Sequence, residues 1–216
     1  MEIKTPASIG PGEFFPVVGV GPHEKPWPTG EQYDPELLEN GDRRNVLDKY
    51  RYWSVGAIVA ELDTQRHKLH IAIENWQHDL NIGSVVRTAN AFNVSAVHIV
   101  GKRDWNKRGA MVTDRYLRIV HHPSVADFAL WCTENSLPII GIDNLPSSKH
   151  LEGAQLPQSC VLLFGQEGAG MSDESIEICE VLYAIEQYGS TRSMNASAAG
   201  AIAMYHWALQ HLPRNI

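Results

Sequence analysis

The spacing of apolar residues changes character several times along the chain. Over the first forty or so residues, crowded with Pro6, Pro11, Pro16, Pro22, Pro26, Pro28 and Pro35, neither a period of two nor one of 3.6 is sustained, which predicts an irregular extension over 1–42. From 43 to about 65, Val46, Leu47, Tyr50, Trp53, Val55, Ile58, Val59 and Leu62 recur at helical intervals. That pattern predicts one or two amphipathic helices in 43–66 with Arg43, Arg44, Lys49 and Arg51 on the outside. Beyond it, strand-like and helix-like stretches alternate. Strands are expected at 69–75, 96–101, 118–122, 138–144, 161–165 and 182–187, and helices at 82–92, 125–136, 173–180 and 193–212. Such alternation predicts an α/β domain over 67–216, a mostly parallel sheet with helices on both faces. Ligands of such sheets collect at the carboxyl ends of the strands.

Three strand-to-helix junctions at that end are unusual in composition. The first runs through Asn81, Ile82 and Gly83 into a helix whose buried face is Ile82, Val85, Val86, Ala89 and Phe92. Asn81 has the position of an N-cap, and Arg87 falls beside the apolar face, where its fixed charge needs a partner. The second empties an apolar strand, Leu162 to Phe164, into Gly165, Gly168 and Gly170, with Ser172 as the cap of the next helix and Glu167 inside the turn. A carboxylate there has two uses, pairing with Arg87 or holding a ligand. The third joins Ile185 to a run of small residues from Ala196 to Ala203, the mark of a helix packed closely against another backbone, within the core or between subunits. Ser193 and Asn195 precede it, each a possible cap.

Composition narrows the setting. No run of about 18 or more apolar residues occurs and the amino-terminal residues lack a secretory pattern, so a cytosolic protein is expected. Cys132, Cys160 and Cys179 form no CxxC pair, which excludes a cysteine zinc site and suits a reduced core. The net charge of -7 argues against a polyanion partner until its distribution is read. Between Arg43 and Arg118 stand thirteen Lys/Arg against seven Asp/Glu, leaving five against eighteen elsewhere. A positive face on an acidic protein follows from such segregation, although a solvated helix surface would account for part of it.

The ordered set Asn-Ile-Gly-x-x-x-Arg-Thr-Ala (81–89), Gly-x-Glu-x-x-Gly-Met-Ser (165–172) and Ile-x-x-x-Gly-x-x-x-Ser-Met-Asn-x-Ser (185–197) resembles the three motifs of the SpoU/TrmH ribose methyltransferases of the SPOUT superfamily. The resemblance covers roughly 67 to 212. It departs from the family at Glu186-Gln187, where Pro-Met is common, and at Ala196.

The resemblance implies a C-terminal trefoil knot, a homodimer whose interface completes the active site, and methylation of an RNA 2′-hydroxyl by S-adenosylmethionine. The donor is expected at Gly141, Leu163, Gly165, Gly168, Ile185, Ser193 and Met194, and the reaction at Arg87, helped by Asn81, Glu167 and Asn195. A guanidinium is a poor general base at pH 7, because stripping its proton costs about 7 kcal/mol or more, so phosphate holding and alkoxide stabilisation suit it better. No metal is expected, since a sulfonium already activates its methyl group. RNA is expected on Arg43, Arg44, Lys49, Arg51, Lys102, Arg103, Lys107, Arg108 and Arg192. Transfer RNA is preferred over ribosomal RNA, because no globular domain precedes the motifs. The alternative is a catalytically silent, knotted RNA-binding assembly factor. A nucleotide-phosphate enzyme using 165–170 lacks the Lys-Ser/Thr that would grip phosphate.

Overall fold

The computed structural model describes residues 19–76, 81–166 and 168–213. The chain separates into two compact units, dividing between Asp63 and Thr64.

The first unit holds α1 (Pro35–Asn40), a 3₁₀ turn Asp48–Tyr50 and α2 (Val55–Asp63). A helix inside the proline-rich extension was not expected. Its signal is the triplet Asp34-Pro35-Glu36, in which the Asp34 side chain accepts the Glu36 N–H and proline occupies the first turn, where its missing N–H is harmless. Asp42, fully buried, is the hub of this unit. It receives the Arg44 guanidinium at 2.9 and 2.7 Å and the backbone N–H groups of Arg44 and Tyr52 at 3.0 Å each. Burial alone would raise this carboxyl, but those bonds and the guanidinium charge pull it down to about 2. Arg44 is therefore turned inward, which corrects its expected place on an outer RNA-binding face. Arg51 is likewise engaged, donating to the Arg44 carbonyl at 2.6 Å.

The second unit is a seven-stranded sheet, parallel throughout. Its strands are β1 (His67–Asn75), β2 (Val94–Gly101), β3 (Ile119–His122), β4 (Ile139–Ile142), β5 (Lys149–His150), β6 (Cys160–Phe164) and β7 (Val181–Ala184), in the spatial order β3-β2-β1-β6-β4-β7-β5. The helices are α3 (Ile82–Ala91), α4 (Val125–Glu134), α5 (Asp173–Glu177) and α6 (Ala196–His211). Alternate residues of each strand enter two cores. Leu69, Ile71, Ile73, Leu162 and Phe164 meet Val85 and Val86 of α3 and Met204 and Trp207 of α6. Ala72, Val161 and Leu163 meet Phe128 and Cys132 of α4, with Ile176 of α5. The two-residue β5 escaped prediction because it has no apolar period to read.

The small-residue stretch of α6 packs within this unit, one of the two arrangements its composition allows. Gly200, Ala203 and Met204 are buried, and Gly200 faces Val85 of α3 at ordinary contact distance. The cysteines lie among these packed layers, and burial raises all three thiols to about 12. No helix among the described residues is long and apolar enough to cross a membrane.

Candidate active site

At the carboxyl ends of β4, β6 and β7 the chain leaves a cavity of about 530 Å³. Its walls come from Ile142 to Leu145 at the end of β4, Phe164 to Gln166 and Gly168 to Met171 after β6, and residues between Ile185 and Asn195 that lead from β7 to α6, with Ala196 and Ala199 of that helix.

The loop after β6 is a closed glycine turn. Gln166 and Gly170 exchange N–H to carbonyl bonds at 3.2 and 3.1 Å, which folds Gly165 against the backbone of its own loop. A Cβ on Gly165 would lie 2.2 Å from the Gly170 carbonyl carbon and the Met171 nitrogen, so no side chain fits there. Two carboxylates hold the turn from outside. Asp143 accepts the Met171 N–H at 2.8 Å. Glu74, wholly buried at the end of β1, accepts the Ser172 N–H at 2.9 Å, the Ser172 hydroxyl at 2.6 Å and the Trp76 indole at 2.8 Å. Ser172 caps α5 as expected, through the Ser175 N–H. Glu167 lies outside the described residues.

The loop before α6 is strapped down by amide side chains. Asn144 donates to the Arg192 carbonyl at 2.9 Å, and Gln187 reaches the same oxygen at 3.4 Å. Glu186 gives its backbone N–H to Glu152 at 2.9 Å, a bond that proline at this position would forfeit. The departure at Glu186-Gln187 thus substitutes side-chain ties for a rigid backbone. His150, Glu152 and Glu186 also bring potential metal-ligating atoms within 4.8 Å of one another. All three are exposed, and both carboxylates already bind N–H or O–H groups.

Asn195 caps α6, its Oδ1 accepting the N–H groups of Ser197 and Ala198, while its Nδ2 donates to Asn81 Oδ1 at 2.8 Å. Asn81 makes no capping bond to α3. It serves the link between the first and third junctions instead. Gly83 admits the backbone of the 102–118 loop: a Cβ there would lie 2.8 Å from the Ala110 nitrogen.

Of the expected donor-site residues, Gly165, Gly168, Ile185, Ser193 and Met194 line the cavity. Gly141 and Leu163 do not; they pair in register within the sheet and face the α4 and α5 side, where a Cβ on Gly141 would meet Leu182 and Cys179. Strand alternation places them one residue out of phase with Ile142 and Phe164, which do line it. Asn195 is in the wall. Arg87 is not, and it is exposed, on the side of α3 away from Ile82, Val85, Val86 and Ala89. Among the described residues no hydrogen bond or ion pair holds its guanidinium. Asp143, Asn144 and Glu74 were missed, since a lone Asp, Asn or Glu at a strand end is common and only their reach across the sheet distinguishes them.

Of the cationic set, Arg43, Lys102, Arg103, Arg108 and Arg192 are exposed. Lys107 pairs with Asp114 at 3.3 Å and lies over Trp105, and Lys49 reaches Glu61 at 3.8 Å.

The chain is similar to known proteins in sequence and in fold. An uncharacterized tRNA/rRNA methyltransferase from Synechocystis is 28% identical over 183 residues, 79% of this chain and 46% of its own length. A tRNA (guanosine(18)-2′-O)-methyltransferase from Borreliella burgdorferi is 26% identical over 148 residues, 67% of each chain. A 23S rRNA (guanosine-2′-O-)-methyltransferase from Neisseria meningitidis is 26% identical over 218 residues, 83% of each. Thus the chain spans less than half of the first of these relatives, though most of the third. The fold matches the TrmH/SpoU tRNA modifying enzyme of A. aeolicus with a TM-score of 0.63 at 22% identity, over 72% of this chain and 81% of that one. It also matches the SpoU methyltransferase AviRb from Streptomyces viridochromogenes in complex with AdoMet, at 0.61 and 23%, over 67% and 58%. The family model described as SpoU rRNA Methylase matches residues 68–205, and the chain belongs to that family.

Proposed function

We propose that this chain methylates a ribose 2′-hydroxyl of RNA with S-adenosylmethionine as donor. The observation that carries the reading is the cavity at the carboxyl ends of β4, β6 and β7, walled by the glycine turn and the 185–199 loop and linked to α3 by the Asn195 to Asn81 bond. Its volume lies within the range of small-ligand sites. Its wall also contains Gln166, whose buried Oε1 has no hydrogen-bond partner among the described residues.

The residues to hold the donor are Gly165, Gly168, Ile185, Ser193 and Met194, the apolar ones against a flat ring and the glycines through backbone N–H and C=O groups. The sulfonium supplies an activated methyl group and calls for no metal. What remains for the protein is alignment and care of the hydroxyl proton. Arg87, exposed and unpaired among the described residues, is suited to grip the RNA phosphate and stabilise the developing alkoxide, with Glu167 and Asn195 as orienting groups.

The reading extends to a homodimer that completes the site. In its support, α6 exposes Ile202, Tyr205 and Leu209, beside a shallow hollow formed with Phe92, Leu212 and Pro213. It includes the trefoil knot, a cytosolic setting, and a catalytic domain of 67–216 preceded by the extension 1–42 and the basic segment 43–66. Named relatives act on tRNA and on rRNA, so both classes stand, with tRNA the expected one.

Mass spectrometry of nucleosides from total tRNA and rRNA, with and without the gene, tests the proposal. One 2′-O-methylnucleoside should disappear with the gene, and purified protein with labelled donor should restore it. RNA binding without methyl transfer would favour the silent assembly factor.

A further inference from the structure

Between β2 and β3 the chain makes two successive 3₁₀ turns, Lys107–Ala110 and Thr113–Tyr116, joined by Met111 and Val112. Both joining residues have left-handed backbone, with φ of 48° and 70°. For a β-branched residue such as Val112 that conformation is an outlier. Strain of this kind survives only where the surroundings over-determine it, and it gathers at functional sites. The base of this loop is fixed firmly. Ala110, Thr113 and Tyr116 are buried, the Lys107 to Asp114 ion pair spans the tip at 3.3 Å, and a Cβ on Gly109 would lie 2.9 Å from the Ser84 nitrogen of α3.

The side chains of the tip stand largely in solvent. Met111 is 63% exposed and Val112 52%. Exposed cations flank this apolar pair in the same segment: Lys102, Arg103, Arg108 and Arg115. An apolar surface set among unburied positive charges matches one chemistry well, a base with phosphates on either side.

We propose, resting on the RNA reading above, that the Met111–Val112 tip is a nucleobase contact: the thioether and the isopropyl group lie against the face of an unstacked base, while Arg108 and Arg115 take the neighbouring phosphates. Because the loop is seated on Gly83 and Ser84 of the helix that carries Arg87, a base held at the tip fixes the register of the strand relative to that guanidinium. The substrate class this selects is RNA with an unpaired, unstacked nucleotide close to the methylated one.

The test uses the full chain and its Met111→Gly/Val112→Gly variant, since glycine adopts positive φ freely and removes both side chains without adding strain. Binding is measured to a short labelled oligoadenylate, to its abasic twin of equal length, and to unfractionated tRNA, across a salt series. The wild type should prefer the oligoadenylate to the abasic strand by about tenfold, within the range of base stacking contacts. The glycine pair should erase that preference, with a thermal midpoint no lower than that of the wild type, unchanged abasic binding and an unchanged salt slope, whereas Arg108→Gln should lower the slope. A glycine variant that keeps the preference overturns the proposal. So does one that loses both strands equally together with its thermal midpoint, which would make the tip a structural element. If the wild type binds none of the three RNAs, the RNA reading itself falls and takes the tip with it.

Discussion

The side chain of Asn195 donates to that of Asn81 at 2.8 Å, across 114 positions of sequence. The Oδ1 of the same side chain caps α6, so one residue both starts the final helix and, through its Nδ2, ties it to the start of α3. Two substitutions separate these duties. Asn195→Ala removes both, and loss of the cap should cost about 1 kcal/mol. Asn195→Ser keeps a capping hydroxyl but is too short to reach Asn81. Thermal unfolding should therefore distinguish the two variants, while methyl transfer should fall in both. Wild-type turnover in Asn195→Ser would show that the tie has no part in the reaction.

Glycines of the turn after β6 should differ in their tolerance. Gly165→Ala would drive a methyl group into the Gly170 and Met171 backbone at 2.2 Å. Opening the Gln166 to Gly170 pairing to make room should cost several kcal/mol, or about 3. Among the described residues, chain neighbours aside, nothing lies within 4 Å of a Cβ on Gly168, and its φ of 87° is what resists substitution. Gly168→Ala should cost about 1 kcal/mol. Calorimetric titration with S-adenosylmethionine should detect donor binding in the Gly168 variant and none in the Gly165 variant; equal binding by both would remove the turn from the donor site.

Much of this was legible beforehand because β4 and β6 are continuous apolar runs and the three motif junctions have distinctive residues. Cys160 to Phe164 reads as a buried strand from its composition alone. Other features depend on contacts that exist only once the chain has folded. Arg44 resembles any surface arginine until Asp42 is found buried beside it. Lys149–His150 is a strand only because β7 pairs with it. Gly141 and Leu163 were expected at the donor site on the family resemblance, whereas they pair with each other within the sheet and the Leu163 side chain enters the core against α4.

Arg87 is exposed and free of partners among the described residues, so its removal should leave the fold intact. Arg87→Ala should change stability by no more than about 0.5 kcal/mol. It should keep donor affinity, because the residue is outside the cavity wall, and it should abolish methyl transfer. Arg87→Lys retains charge without the two-pronged donor geometry and should recover little. Full activity in purified Arg87→Ala would refute the assignment.

Three histidines on adjacent strands make the fold acid-sensitive. His70 Nδ1 meets His98 Nε2 at 3.0 Å, and His98 Nδ1 meets His122 Nε2 at 2.9 Å, beneath Trp131 and Phe128 of α4. Each contact has room for one proton, so the chain is satisfied only when the rings are neutral and share tautomers in sequence. Burial lowers His70 to about 4, and burial with the two neighbouring imidazoles lowers His98 to about 3; His122 is lowered by burial and by His121, with Asp127 opposing. A pKa lowered on folding means that the unfolded chain binds more protons between the two values. Stability is therefore complete above pH 6.5 and declines as pH falls toward 4. For a fully buried histidine such as His98 the loss at pH 5 is about 2 kcal/mol. Denaturant titrations from pH 7.5 to 4.5 should show this decline, and His98→Gln, which preserves a donor and an acceptor without titrating, should flatten it. Equal slopes for the two proteins would place the acid sensitivity elsewhere.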